Sequence, residues 1–223
     1  MVYARRVDGR TLTLAVSGLL WESSLVMIDQ ETQSLWSHLL GEAMQGPLQG
    51  KKLDVFPSSM TDWRAWRSRY PDSTVMLMSK TTNEYRRGVH LNELPLPTLP
   101  LPDALIIGLA NDSAAKCWRF DDLRVELAIN DRFGDVEVLV VFDSESGTAS
   151  VFGRQVDGGM HTFRFEDNKL IDDQSQSVWD PVTGVADSGV HEGRQLSKLP
   201  GIVSLKPAWF TFHPDSTTWA PSN

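Results

Sequence analysis

Asp29, His38 and Glu42 are the residues of this chain whose types and spacing suit acid–base chemistry. His38 and Glu42 stand four apart, and a carboxylate beside an imidazole can hold its tautomer while the ring moves a proton near neutral pH. These three are the candidate catalytic residues. Ser17, Glu22, Ser24 and Trp36 are the candidate binding residues around them, and Ser23 completes the polar set. No serine stands in a Gly-x-Ser-x-Gly context, so nothing marks a nucleophile elbow. The competing reading is that these Ser and Asp side chains make the local hydrogen bonds of turns and caps.

Other motifs are weaker. The run Gly46-Pro-Leu-Gln-Gly50-Lys51-Lys52 has the look of a phosphate loop, but it has three residues between its glycines instead of four and no Ser or Thr after the lysine. It is expected to be a turn. The five histidines, His38, His90, His161, His191 and His213, show no ligand spacing, so no metal site is expected and no cofactor is assigned. His191 and Asp187, four apart, suit a surface ion pair. A single cysteine, Cys117, excludes an internal disulfide and a Cys-x-x-Cys knuckle.

The elements that must position these groups come from a repeat. At an offset of 143, Asp29–Val75 meets Asp172–Thr218 with 16 identities in 47 positions, where composition alone gives roughly three. Trp36 meets Trp179 and Trp66 meets Trp209; Gly41, Gly46 and Gly50 meet Gly184, Gly189 and Gly193. Upstream the offset is 149, with Val7-Asp8-Gly9 matching Val156-Asp157-Gly158. The first copy therefore carries six extra residues within Leu14–Met27, and it alone has Glu42, where the second has Val185. Asp-Gly between alternating runs predicts a hairpin in each copy. Shared tryptophans and glycines read as core and turns, whereas Trp21 and Trp219 lack partners and could line a carbohydrate or peptide groove. A short helix is expected near Trp63–Tyr70, capped by Ser59 or Thr61, with Trp63, Trp66 and Tyr70 on one face, and another after Pro207. Ala104–Ala110, Lys116–Arg119, Leu127–Asn130 and Val136–Phe142 read as strands separated by Asn-Asp, Asp-Asp and Phe-Gly-Asp turns.

The net charge of −8 and pI near 5.1 supply no basic surplus for a nucleic-acid backbone, so no nucleic-acid partner is expected. Residues 1–75 are neutral, with eight basic and eight acidic side chains, and the deficit lies wholly after them. No apolar run suits a signal peptide or a membrane span, which makes a cytoplasmic location the default unless an upstream start is missing.

Val7–Leu53 (VDGRTLTL to QGKKL) with Thr61–Val75 (TDWRAWRSRYPDSTV), and then Leu105–Phe120, Ala128–Gly158 and Ala208–Thr217 (AWFTFHPDST), resemble a bacterial and archaeal family known as domain of unknown function 3179. The resemblance covers most of the chain and implies no established activity. Members commonly carry a Cys-Pro-x-Cys stretch before the first Val-Asp-Gly; this chain begins at that point, and Phe142–Thr148 has no cysteine. A metal or redox role resting on those cysteines is therefore not expected here, and the chain is expected to be a fragment or to have a misplaced start.

The expectation is a mainly β protein (α+β by strict count) of two related β-rich units with short helices, packed as one pseudo-symmetric body. Its parts are an incomplete first unit at 2–75, a Pro-rich connector at 76–103 and a complete second unit at 104–218. The expected function is a non-catalytic binding or accessory module with a small-molecule or protein partner. The alternative is an enzyme, or a metal- or redox-linked module, with its site around the first-copy insert from Ser17 to Glu42. A strand edge at Val2–Val7 could pair two copies into a homodimer.

Overall fold

The computed structural model describes residues 1–22, 24–74 and 104–221. The expected connector at 76–103 lies outside them. The described residues form a mainly β fold with short helices α1 (Trp63–Arg69), α2 (Phe120–Glu126) and α3 (Lys206–Phe212). None of these helices is long and apolar enough to cross a membrane.

Two antiparallel meanders of four strands dominate. One runs through Leu14–Trp21, Ser24–Asp29, Leu35–Ser37 and Ala43–Gln45; the other runs through Phe163–Glu166, Lys169–Asp172, Val178–Trp179 and Ala186–Ser188. A two-residue hairpin precedes each, with Val7 paired to Arg10 and Val156 to Gly159. Positive φ at Asp8, Gly9, Asp157 and Gly158 gives these turns the right-handed twist the flanking strands need, as the Asp-Gly pairs predict. The six extra residues lengthen the first hairpin of the first meander, whose strands carry an irregular register between Val16 and Leu20. Val16, Leu19 and Leu20 stand exposed on that extension, while Trp21 packs edge-on against Phe212 at 4.8 Å.

Contacts recur at the two offsets. The Trp36 indole donates to buried Asp29 at 2.9 Å and the Trp179 indole to buried Asp172 at 2.9 Å. A Cβ on Gly41 would stand 2.6 Å from the Tyr3 ring, and one on Gly184 would stand 2.6 Å from the Phe152 ring, so only glycine lets these chains close. The Trp66 and Trp209 indoles donate to Ser73 and Ser216 at 2.8 and 2.7 Å. Val2–Tyr3 pairs with Val55–Phe56, and at the matching place Phe152 bridges Lys198.

Residues 105–153 add what the first part does not display. Leu105–Ala110 is central between Ala115–Arg119 and Ile202–Leu205, with Thr217–Thr218 parallel at the edge, and Ala128–Phe133, Val136–Asp143 and Thr148–Gly153 form a three-stranded sheet. Their apolar faces enclose a core around Trp118, Leu123, Val138 and Val140. Trp219 packs partly buried against this core instead of lining a groove.

Three local expectations are corrected. Asp121-Asp122 is not a turn; it occupies the first turn of α2, where carboxylates favour the positive end of the helix dipole. Helix α1 is capped by neither Ser59 nor Thr61 but by Asp62, the residue immediately before Trp63, whose Oδ1 accepts from the Ala65 amide at 2.7 Å. Trp66 is not core: it is 42% exposed, whereas Trp209 is sealed. The cause is Gly108, which lies flat beneath the Trp209 ring; no strand pair corresponding to 105–119 covers Trp66 among the described residues.

A Cβ on Gly108 would stand 2.4 Å from the buried Trp209 ring, whereas one on Gly153 meets only ordinary contacts at 3.8 Å. Gly108→Ala is expected to lower unfolding free energy by about 1–3 kcal/mol and Gly153→Ala by much less, read by urea denaturation.

Candidate functional site

The expected site residues fall into separate surroundings. Asp29 is fully buried and accepts hydrogen bonds from Thr32, the Ser34 amide and the Trp36 indole. Burial acts to raise its pKa, but these donors outweigh it and hold the carboxyl below its ordinary value. Trp36 is wholly enclosed in the core of the first meander. The His38 ring lies edge-on to Tyr3 at 6.5 Å and is depressed in pKa by burial. Ser17 hydrogen-bonds the Val26 carbonyl at 2.6 Å and receives the Leu19 amide, which stabilises the irregular strand. Glu22 sits at the hairpin tip with φ of 48°, and Ser24 pairs with Trp21 beside it. Glu42 forms an isolated bridge with Lys52. No side-chain hydrogen bond joins Asp29, His38 and Glu42 among the described residues.

The second meander departs from the first at the same anchor. His161 occupies the position of Leu12 and places Nδ1 3.0 Å from Asp172, while His191 occupies that of Leu48. The His161 and His191 rings lie 5.2 Å apart, and His191 pairs with Asp157 at 3.5 Å, not with Asp187. No group of three or more His, Cys, Asp or Glu among the described residues is arranged to hold a metal ion.

Two clefts lie where the 1–74 part meets the 104–221 part, and their linings correspond across the 143 offset. One, of about 210 Å³, has Leu39, Leu40, Lys52 and Val55 facing Ile202 and His213, with Glu42 on its wall. The other, of about 400 Å³, has Val182, Thr183, Gln195 and Lys198 facing Ser59 and Tyr70. Each residue of the second set stands 143 positions from its counterpart in the first. Val55 and Ile202 line the smaller cleft; Lys198 and Ser59 hold the matching places in the larger.

The larger cleft also contains Trp66, tilted against Tyr70 at 4.5 Å, and Thr61, whose buried hydroxyl has no hydrogen-bond partner among the described residues. The Lys198 amine donates to Ser59 Oγ and, at 3.0 Å, to the Val182 carbonyl, and it stands 5.6 Å above the Phe152 ring. Burial lowers its pKa, with Asp180 acting in the opposite direction. Asp180 is itself held by Arg69 of α1 at 2.9 Å, a contact that also ties the two parts together. A third cleft, of about 480 Å³, contains Lys116 and Arg132, but these cations are paired with Asp131 and Glu137.

Sequence reasoning missed Ser59, Thr61 and Lys198. The signal was present in the repeat, because Lys198 faces Val55 and Ser59 faces Ile202 in the alignment that singled out Glu42 against Val185.

The Asp172 carboxyl is the most strongly shifted acid of this framework. Burial would raise it, but donors from Ser175, the Trp179 indole and His161 lower it to about 2, from an ordinary 3.8. A depressed carboxylate stabilises the fold above its unfolded-state value and loses that stabilisation as pH falls towards the folded one. Roughly 2 kcal/mol is therefore expected to disappear between about pH 4 and pH 2. Asp172→Asn is expected to flatten that acid limb in thermal melts and to be less stable at pH 7.

The family model described as "Protein of unknown function (DUF3179)" matches residues 1–216 of the 223-residue chain, which belongs to that family. No curated protein matches the chain significantly. No solved structure does so either.

Proposed function

We propose that this family member is a small-molecule-binding protein whose site is the cleft between Trp66 and Lys198. The observation that carries this reading is Trp66. Its counterpart Trp209 is sealed by Gly108, whereas Trp66 stays open beside Tyr70 and six polar side chains. An exposed indole over a concave surface with a few convergent donors is the usual composition of a ligand site. Trp66 and Tyr70 suit a flat apolar group, and Ser59, Thr61, Gln195 and Lys198 suit a carbonyl or carboxylate at its end.

This reading takes 2–75 and 104–218 as two copies of one unit, of which the first lends a helix and the second a meander to the cleft. A second reading places a site beside the first-copy hairpin. It draws support from Glu42, which lines the smaller cleft with Lys52 and His213. A homodimer is a further proposal: Val2–Tyr3 belongs to a two-stranded sheet, and its outward edge carries no other strand among the described residues.

Phenylacetate, an aromatic ring bearing a carboxylate, is a direct probe. Titration is expected to shift the Trp66 indole resonance and to saturate, with Trp66→Ala weakening binding about tenfold or more. Trp63→Ala, on another exposed patch, is expected to bind normally. Equal binding by the Trp66→Ala protein rejects the cleft.

A further inference from the structure

The Ser59–Lys198 contact is not something the scaffold requires. At the mirrored cleft the same two places hold Ile202 and Val55, one from the helix-entry segment and one from the strand end, so the parts are joined there with no hydroxyl–amine contact at these places. Replacing an aliphatic pair by a hydroxyl and an amine costs desolvation, and a Lys half-buried without a carboxylate is an expensive choice for a mere cross-link. Among the described residues Lys198 makes no ion pair; its donors go to Ser59, the Val182 carbonyl and the face of Phe152. Burial accordingly favours its neutral form.

A lysine amine within hydrogen-bond distance of a serine hydroxyl is the pairing of a serine nucleophile with a lysine base, the amine taking the hydroxyl proton once it has lost its own. The surroundings add two parts. Ser150, buried beneath the cleft, lies 3.1 Å from Ser59 Oγ and fixes its position. Thr61, two residues along the same segment, has the buried hydroxyl without a partner, a donor available to an oxygen that gains charge. We propose that Ser59 is an acyl-accepting nucleophile with Lys198 as its general base, and that the cleft hydrolyses small esters of aromatic carboxylic acids.

This inference rests on the cleft being the ligand site and names the substrate class for it. Ser59 Oγ forms a bond to the ester carbonyl carbon as its proton passes to the Lys198 amine. The tetrahedral intermediate then expels the alcohol, which takes that proton, and leaves Ser59 acylated. Water adds to the acyl carbon, again giving a proton to Lys198, and collapse returns the proton to Ser59 and releases the carboxylic acid. No oxidant, metal or co-reactant enters the balance.

The test uses the full chain with 4-nitrophenyl phenylacetate as substrate, a fluorophosphonate as covalent probe and phenylacetate as non-reacting ligand. Expected are ester turnover and a single adduct mapped to Ser59 by tandem mass spectrometry. Ser59→Ala should abolish both, and should weaken phenylacetate binding far less than Trp66→Ala does. Lys198→Val, which restores the residue type of the mirrored cleft, should fold normally and lower the acylation rate about a hundredfold or more.

An adduct on another residue, or turnover persisting in Ser59→Ala, overturns the assignment. Phenylacetate binding with neither turnover nor adduct overturns the chemistry and leaves the binding site standing. Loss of binding together with both overturns the two readings at once, and an adduct at Ser59 without phenylacetate binding upholds the nucleophile while rejecting the ligand class.

Discussion

A buried aspartate held by a tryptophan indole is the interaction on which each meander depends. Asp29 and Asp172 are both fully enclosed, and each accepts the indole N–H of the tryptophan seven residues on. A lone buried carboxylate would be costly. Here its lone pairs are taken by the hydroxyls and amides of the turn that follows, so the charge organises the turn and the indole locks that turn to the core. Thr32 and the Ser34 amide do this in the first meander and Ser175 in the second, where His161 adds a contact that the first meander lacks. The glycines close the same corners. Gly46 and Gly189 lie against the backbone of Ser34 and Ser177, where a side chain would collide with the very residues the aspartate orients.

Once the two meanders are fixed alike, the differences between them become informative. The second is backed by the strands of 105–153 and buries Trp209; the first leaves Trp66 open at a corresponding place. The join between the parts uses Leu39 packed with Ile106, Cys117 and Trp209 on one side and the Arg69–Asp180 pair on the other. The two resulting clefts share a lining pattern, yet one has Val55 and Ile202 where the other has Lys198 and Ser59. Residues that recur serve closure, and Lys198 and Ser59 form a polar pair where the corresponding places are apolar.

Much of the framework was legible in the sequence because its determinants are local. Asp-Gly pairs fix hairpins, the spaced glycines fix corners, and Pro207 does enter the first turn of α3. The site was less legible, since its parts come from segments 139 residues apart and meet only after the two parts pack. Asp29, His38 and Glu42 looked connected because they are close along the chain, but Asp29 ends a strand while His38 and Glu42 flank a turn between two others, and their side chains meet a core anchor, a Tyr3 contact and a cleft wall. Helix α1 shows the same limit. Trp66 and Tyr70 pack together on one cleft while Trp63 stands on a separate exposed patch, and whether Trp66 is covered depends on strands far away in sequence.

The central claim is that matched positions have been given different environments, with Trp66 open to solvent and Trp209 sealed. The most direct measurement is ¹⁹F NMR of the 5-fluorotryptophan-labelled chain, with each resonance assigned by single Trp→Phe substitution and compared in H2O and D2O. The account predicts a solvent-isotope shift typical of an exposed ring for Trp66 and almost none for Trp209. Equal protection of the two rings would contradict it.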